Sequence, residues 1–218
     1  MKAAFWHERW ESGRTGFHQS ETNRYLVQYW EHLNLTKNAK VFVPLCGKSK
    51  DMLWLREQGY EVIGAELSPI AVRDFFAQNN LPASQFNHGP FERWVGEGMT
   101  IFCGDVFALS ARDLEGVQAI YDRAALIALP PDMRHNYANH LHAILPVNTQ
   151  TLLVTIDYPQ HQRSGPPFSV PNDEVHTLFG KAFDIELLFE EDVKGESERI
   201  SDKMDYLNER VYLISKKE

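Results

Sequence analysis

The sequence predicts an α/β fold: a doubly wound, mainly parallel sheet with helices on both faces. Three observations lead there. Short apolar or β-branched runs alternate with helix-forming stretches along most of the chain. Residues Val41 to Asp51 pass from a strand-like run through a Pro44–Gly47 turn into a helix former, and Glu66 closes the next apolar run. Polar or turn positions at Leu45, Glu66, Gly104–Asp105, Asp122–Arg123 and Asp157–Tyr158 stand at the ends of predicted strands. They converge on the carboxyl edge, where open sheets bind ligands.

The elements follow in order. Trp6 and Trp10 share one face of an N-terminal helix, which Gly13 and Gly16 break before Phe17. Ala39 to Leu45 is a first strand, and Lys48 to Gln58 a helix stopped by Gly59. Tyr60 to Glu66 is a second strand. Ser68 then supplies an N-cap and Pro69 a first helical residue for a helix to about Asn79. Met99 to Cys103 and Val117 to Tyr121 are short apolar runs, Pro131 opens a helix to Leu145, and Thr149 to Asp157 is a buried strand. After Pro171 a short helix reaches Phe179. The runs Phe183 to Phe189 and Arg210 to Ile214 flank a charged loop (Glu190 to Asp205) that permits an antiparallel pair at one edge. With no repeat or linker between them, residues 1–218 are expected to form a single domain.

A net charge of −8 opposes nucleic acid and anionic membrane as main partners, since both select basic patches. Two cysteines, Cys46 and Cys103, are too few for a disulfide framework or a thiolate metal site. No run approaches the ~18 apolar residues of a membrane span. The first ten residues lack the apolar core of a signal peptide. These features lead to the expectation of a soluble, cytoplasmic protein, and nothing in the chain demands more than a monomer.

The turn after the first strand narrows the ligand. A strand, a tight turn, a helix and an acid about 20 residues on hold an adenosine ribose by its hydroxyls. A dinucleotide site needs several glycines, yet this turn has only Gly47, and Phe42 stands where a phosphate loop needs its first glycine. A nucleoside without phosphates suggests S-adenosylmethionine. Glu66 offers acceptors to the ribose hydroxyls, the alternative being a solvated strand-end acid in an ordinary βαβ unit. Asp105 can accept from the adenine amino group, or serve only as the turn residue after Gly104. Arg123 can hold the methionyl carboxylate in a bidentate fork, or sit by the acceptor and favour a thiolate. Its alternative is an ion pair with Asp122 or another surface acid. The aromatic faces of Trp6 and Trp10 suit a sulfonium, worth ~0.5–2 kcal/mol each.

The run from Trp10 to Gln19 (Trp-Glu-Ser-Gly-Arg-Thr-Gly-Phe-His-Gln) resembles the opening signature of the thiopurine S-methyltransferase family. Val43 to Lys48, Asp122 to Leu126, Gly165 to Pro171 and Leu178 to Lys181 are similar to that family's later landmarks, in order, over nearly the whole chain. The resemblance, closest to the bacterial branch, implies a seven-stranded class I methyltransferase fold with a Rossmann-like, mostly parallel sheet and an antiparallel edge strand. It implies methyl transfer from S-adenosylmethionine to a thiopurine or another aromatic or heterocyclic thiol, with selenium and tellurium species as further soft acceptors. Carried onto matching positions, it implies cofactor contacts at Trp10, Leu45, Glu66 and Arg123, with Asp105 and Val106 beside the adenine. Residues 1–35 would form a lid over the cofactor. Phe17 would face the acceptor, with Arg123 and Arg199. Tyr121 departs from the tryptophan that often precedes Asp-Arg in the family.

A low-pKa thiol is largely ionised near neutrality, so no general base is nominated. Asp157, Tyr158, Phe168 and Arg199 are candidates for the acceptor side. The nine histidines show no ligand spacing, and no metal is expected. Two rivals stand: a nicotinamide-dependent oxidoreductase, which the glycine-poor turn opposes, and a non-catalytic S-adenosylmethionine-binding module.

Overall fold

The computed structural model describes residues 3–195 and 204–217. Its centre is a mixed sheet of β1 (Lys40–Pro44), β2 (Glu61–Glu66), β3 (Ala83–His88), β4 (Phe91–Gly96), β5 (Met99–Cys103), β6 (Val117–Asp122), β7 (Gln150–Asp157), β8 (Phe183–Asp192) and β9 (Asn208–Lys216). The spatial order is β3-β4-β5-β2-β1-β6-β7-β9-β8. Strands β5, β2, β1, β6 and β7 pair in parallel, and antiparallel pairing is confined to the two flanks, β3-β4-β5 and β7-β9-β8. The chain reverses direction across the sheet beside β1, which is the switch point where ligands of such sheets bind.

The helices are α1 (Ala3–Glu11), α2 (Arg24–Tyr29), α3 (Asp51–Glu57), α4 (Pro69–Gln78), α5 (Ala125–Ala128), α6 (Pro131–Ile144) and α7 (Asn172–Phe179). Because alternate strand residues point to opposite faces, β1 feeds two cores. Phe42 joins Ile63, Ile120, Leu126, Tyr137 and Val175, beneath α5 to α7. Val41 and Val43 join Leu26, Met52, Leu55, Val72 and Phe75, beneath α2 to α4. This is the doubly wound arrangement that alternating strand and helix signals predict.

The seven strands expected are all present. The extra pair β3-β4 extends the sheet to nine; its first member buries none of its six side chains and exposes four, so it lacks the apolar alternation that reveals strands in sequence. Helix α3 starts at Asp51 rather than Lys48, because residues 45–50 form a tight turn first. Leu45 and Gly47 both adopt left-handed backbone, at φ +47° and +52°. Ser68 caps α4 as expected, its hydroxyl accepting the Ala71 N–H at 3.4 Å. Among the described residues no helix is long and apolar enough to cross a membrane.

Candidate active site

The turn after β1 is held from β2. The Cys46 N–H donates to Ala65 O at 2.9 Å, a bond to β2 made two residues beyond the end of β1. Glu66 closes the turn: its Oε2 accepts the Gly47 N–H and its Oε1 the Ser68 N–H, both at 2.8 Å. The carboxyl is buried. Burial raises its pKa, and the backbone N–H donors oppose that rise. A carboxylate oxygen has two lone-pair sites, so one donor on each leaves acceptor capacity at the strand tip.

Trp10 roofs the same turn. A Cβ at Gly47 would stand 3.2 Å from Trp10 Cζ2, so the absence of a side chain is what lets the indole approach. Trp10 is 7% exposed, unlike the rest of α1. Phe17 stands edge-on to both Trp10 and Trp6, with ring centroids 5.4 and 5.7 Å away, and is itself 41% exposed. Lys48 Nζ lies 6.0 Å from the Trp10 ring centroid. The i, i+4 pair of tryptophans thus meets on Phe17 after the glycine break.

Arg123, half-buried just past β6, reaches across to the start of α3. Its Nε and Nη2 donate to Asp51 Oδ2 at 3.2 and 3.0 Å, and Nη2 also donates to Ser49 Oγ at 3.2 Å. Asp51 is 1% exposed, and its other oxygen accepts the Asn23 N–H at 2.8 Å. The arginine's partner is therefore a buried acid that sequence reasoning gave no role, rather than Asp122. The available signal was an acid in the first turn of the helix after the loop. One edge of the guanidinium is engaged by protein, and Nη1 makes no hydrogen bond among the described residues. Tyr121 is buried beneath this pair. Its hydroxyl makes no hydrogen bond of ordinary geometry, and burial, with the nearby Asp51, raises its pKa.

Asp105 and Val106 follow β5. Asp105 is exposed, and its Oδ1 accepts the Phe107 N–H at 3.0 Å, which forms the short turn Val106–Ala108. Val106 is buried in the core beneath. Leu45, at the other side of the turn, packs partly buried against the same core.

Three strand-tip residues have structural partners. Asp122 turns away from Arg123: Oδ1 accepts the N–H of Ala125 and Leu126 at 3.0 and 3.2 Å, and Oδ2 the Tyr137 hydroxyl at 2.7 Å. Burial pushes its pKa up to about 6 against those donors. Asp157 accepts from Ser169 Oγ at 3.1 Å and Arg210 Nη1 at 2.8 Å, while the Tyr158 hydroxyl donates to Pro167 O at 2.6 Å. Those bonds fasten the 158–171 loop, which carries half-buried Phe168, to β7 and β9. Arg199 lies outside the described residues.

The strand tips thus hold an acid with spare acceptors, a turn too tight for a side chain, an indole over it, and a fixed arginine. Such a set can seat an uncharged diol beside a soft cation.

A family model described as thiopurine S-methyltransferase matches residues 1–217. A thiopurine S-methyltransferase from Nitrosospira multiformis is 47% identical over 215 residues, 98% of either chain. One from Shewanella pealeana is 45% identical over the full length of both chains. Among solved structures, the Burkholderia thailandensis 1,6-didemethyltoxoflavin-N1-methyltransferase, with bound 1,6-didemethyltoxoflavin and S-adenosylhomocysteine, superposes with a TM-score of 0.65 at 18% identity, over 99% of this chain and 87% of that one. At that identity the likeness is one of fold.

Proposed function

The chain belongs to the thiopurine S-methyltransferase family, and on that premise we propose that it methylates the sulfur of thiopurines and related aromatic or heterocyclic thiols, using S-adenosylmethionine. The observation that carries the site assignment is the Gly47 turn, closed from below by Glu66 and from above by Trp10. When bound, S-adenosylmethionine supplies a methyl group on a sulfonium. Glu66 has the spare acceptors that a ribose diol requires. Asp105, with Val106 at its side, keeps one carboxylate oxygen free of the turn bond to Phe107 and suits an exocyclic amine. Trp10 and Phe17 offer aromatic faces to a sulfonium and exclude water. Leu45, in left-handed backbone, lines the turn.

On the acceptor side we assign Phe17, Arg123 and Arg199. Arg123 Nη1 is the free donor for a carboxylate or a thiolate. A thiol ionised near neutrality is already the competent nucleophile. The protein's contribution is then orientation and exclusion of water, worth ~7–11 kcal/mol for well-aligned reactants. Residues 1–35 act as the lid, within one catalytic domain spanning 1–218. A cytoplasmic monomer, and activity on selenium or tellurium nucleophiles, complete the reading.

The test is incubation with methyl-labelled S-adenosylmethionine and a panel of thiopurines and thiophenols. Labelled S-methyl product is expected. Binding of S-adenosylhomocysteine without product would leave a binding module, and preference for NADH would favour an oxidoreductase.

A further inference from the structure

Asp51 occupies an unusual place. It is fully buried at the first position of α3, and its two oxygens serve two different parts of the molecule. Oδ2 receives Nε and Nη2 of Arg123, at 3.2 and 3.0 Å. Oδ1 receives the N–H of Asn23, at 2.8 Å. Ser49 braces the same point: its hydroxyl accepts from Arg123 Nη2 and from the Asp51 N–H, both at 3.2 Å. Asn23 is where the N-terminal segment ends. Its side chain accepts the Tyr25 N–H at 3.0 Å and opens α2, whose Tyr25, Leu26 and Tyr29 are buried in the core. Asn23 thus joins α2 to the segment before it, which also rests on the Gly47 turn through Trp10.

We propose that Asp51 is a positioning residue that couples closure of the N-terminal strap to the placement of Arg123. The inference rests on the proposed role of Arg123 in the reaction. A buried carboxylate that loses one partner is left with an uncompensated charge and turns toward water. That motion stretches the bond that remains, so releasing the arginine loosens the strap, and releasing the strap loosens the arginine. Such coupling is reciprocal.

The strap's opening can be read by tryptic cleavage after the exposed Arg14, located by mass spectrometry. In the absence of any ligand, Arg123→Gln should be cut at least about tenfold faster than wild type, because opening free energy sets the rate. Arg123→Lys should fall between them. A wild-type rate in folded Arg123→Gln, or slower cutting, overturns the coupling. Should that variant not fold, the reverse direction decides. Asn23 has φ −63°, a value proline adopts, so Asn23→Pro deletes the N–H that Asp51 accepts. Asn23→Ala controls for the lost side-chain cap. Asn23→Pro should have kcat/KM for methyl transfer about tenfold below Asn23→Ala, and equal values would overturn the proposal. A separate arm adds S-adenosylhomocysteine to wild type. Failure to slow cleavage there would count against the cofactor site, whatever the ligand-free comparison shows.

Discussion

Glu66 accepts the backbone N–H of Gly47 at 2.8 Å. The end of β2 thereby fixes the turn that follows β1, 19 residues earlier in the chain. The same carboxylate is the residue proposed to meet the ribose, which would add a binding task to its task in folding.

Replacing Glu66 should expose both tasks. Glu66→Ala should weaken S-adenosylhomocysteine binding by ~1–3 kcal/mol and also lower the melting temperature, because two backbone donors lose a buried partner. Glu66→Gln keeps the shape and one good acceptor, and should fall between. Calorimetric titration and thermal unfolding check this. A lower melting temperature with unchanged affinity would reduce Glu66 to a turn brace.

Gly47→Ala tests the roof. The position has φ +52°, and the added methyl would stand 3.2 Å from the Trp10 ring. A left-handed alanine costs roughly 1–2 kcal/mol by itself. The variant should in addition shift Trp10 emission and weaken S-adenosylhomocysteine binding severalfold. Unchanged tryptophan fluorescence would show that the indole does not rest on this turn.

Asp157 should prove a matter of stability. Arg210 pairs with it and with Glu190, and the pair is nearly buried. Asp157→Asn should cost about 2 kcal/mol, since half of a buried ion pair is removed while a hydrogen bond is kept. Acceptor KM should stay within twofold of wild type, roughly the scatter expected of a residue that does not touch substrate. A raised KM with an unchanged melting temperature would instead place Asp157 on the acceptor side.

Asp122 predicts a pH effect of definite sign. Its pKa rises from 3.8 in the unfolded chain to about 6 in the folded protein, through burial. The folded state therefore holds this proton more tightly. The stability it contributes is fully present below about pH 4 and is lost as pH rises through about 6. The swing is on the order of 2–3 kcal/mol. Asp122→Asn cannot titrate, so its stability relative to wild type should improve steadily from pH 4 to pH 7 by thermal or denaturant unfolding. Parallel curves for the two proteins would contradict the burial argument.

Strands with an apolar face were legible because alternation and β-branched runs report burial directly. Strands β3 and β4 were not: Ser84, Gln85, Phe86 and Asn87 are exposed, and their pairing is fixed by the turn and by β5. In the candidate site, the positions of Glu66 and Arg123 at strand ends could be read from the sequence, because apolar runs mark where strands stop. What they touch could not. Arg123 selects Asp51, 72 residues away, over adjacent Asp122, because Asp122 is consumed by the α5 N–H groups and Tyr137. Such choices depend on which donors lie within reach once the sheet is assembled, and the one-dimensional chain does not contain that competition.

The most direct test is calorimetric titration of the folded wild-type protein with S-adenosylhomocysteine, with NADH as comparison. Saturable binding at a single site, weakened by Glu66→Ala and indifferent to NADH, is the predicted result. A folded protein that gives no heat with S-adenosylhomocysteine, or that prefers NADH, would contradict a methyl-donor site at the tips of β1 and β2.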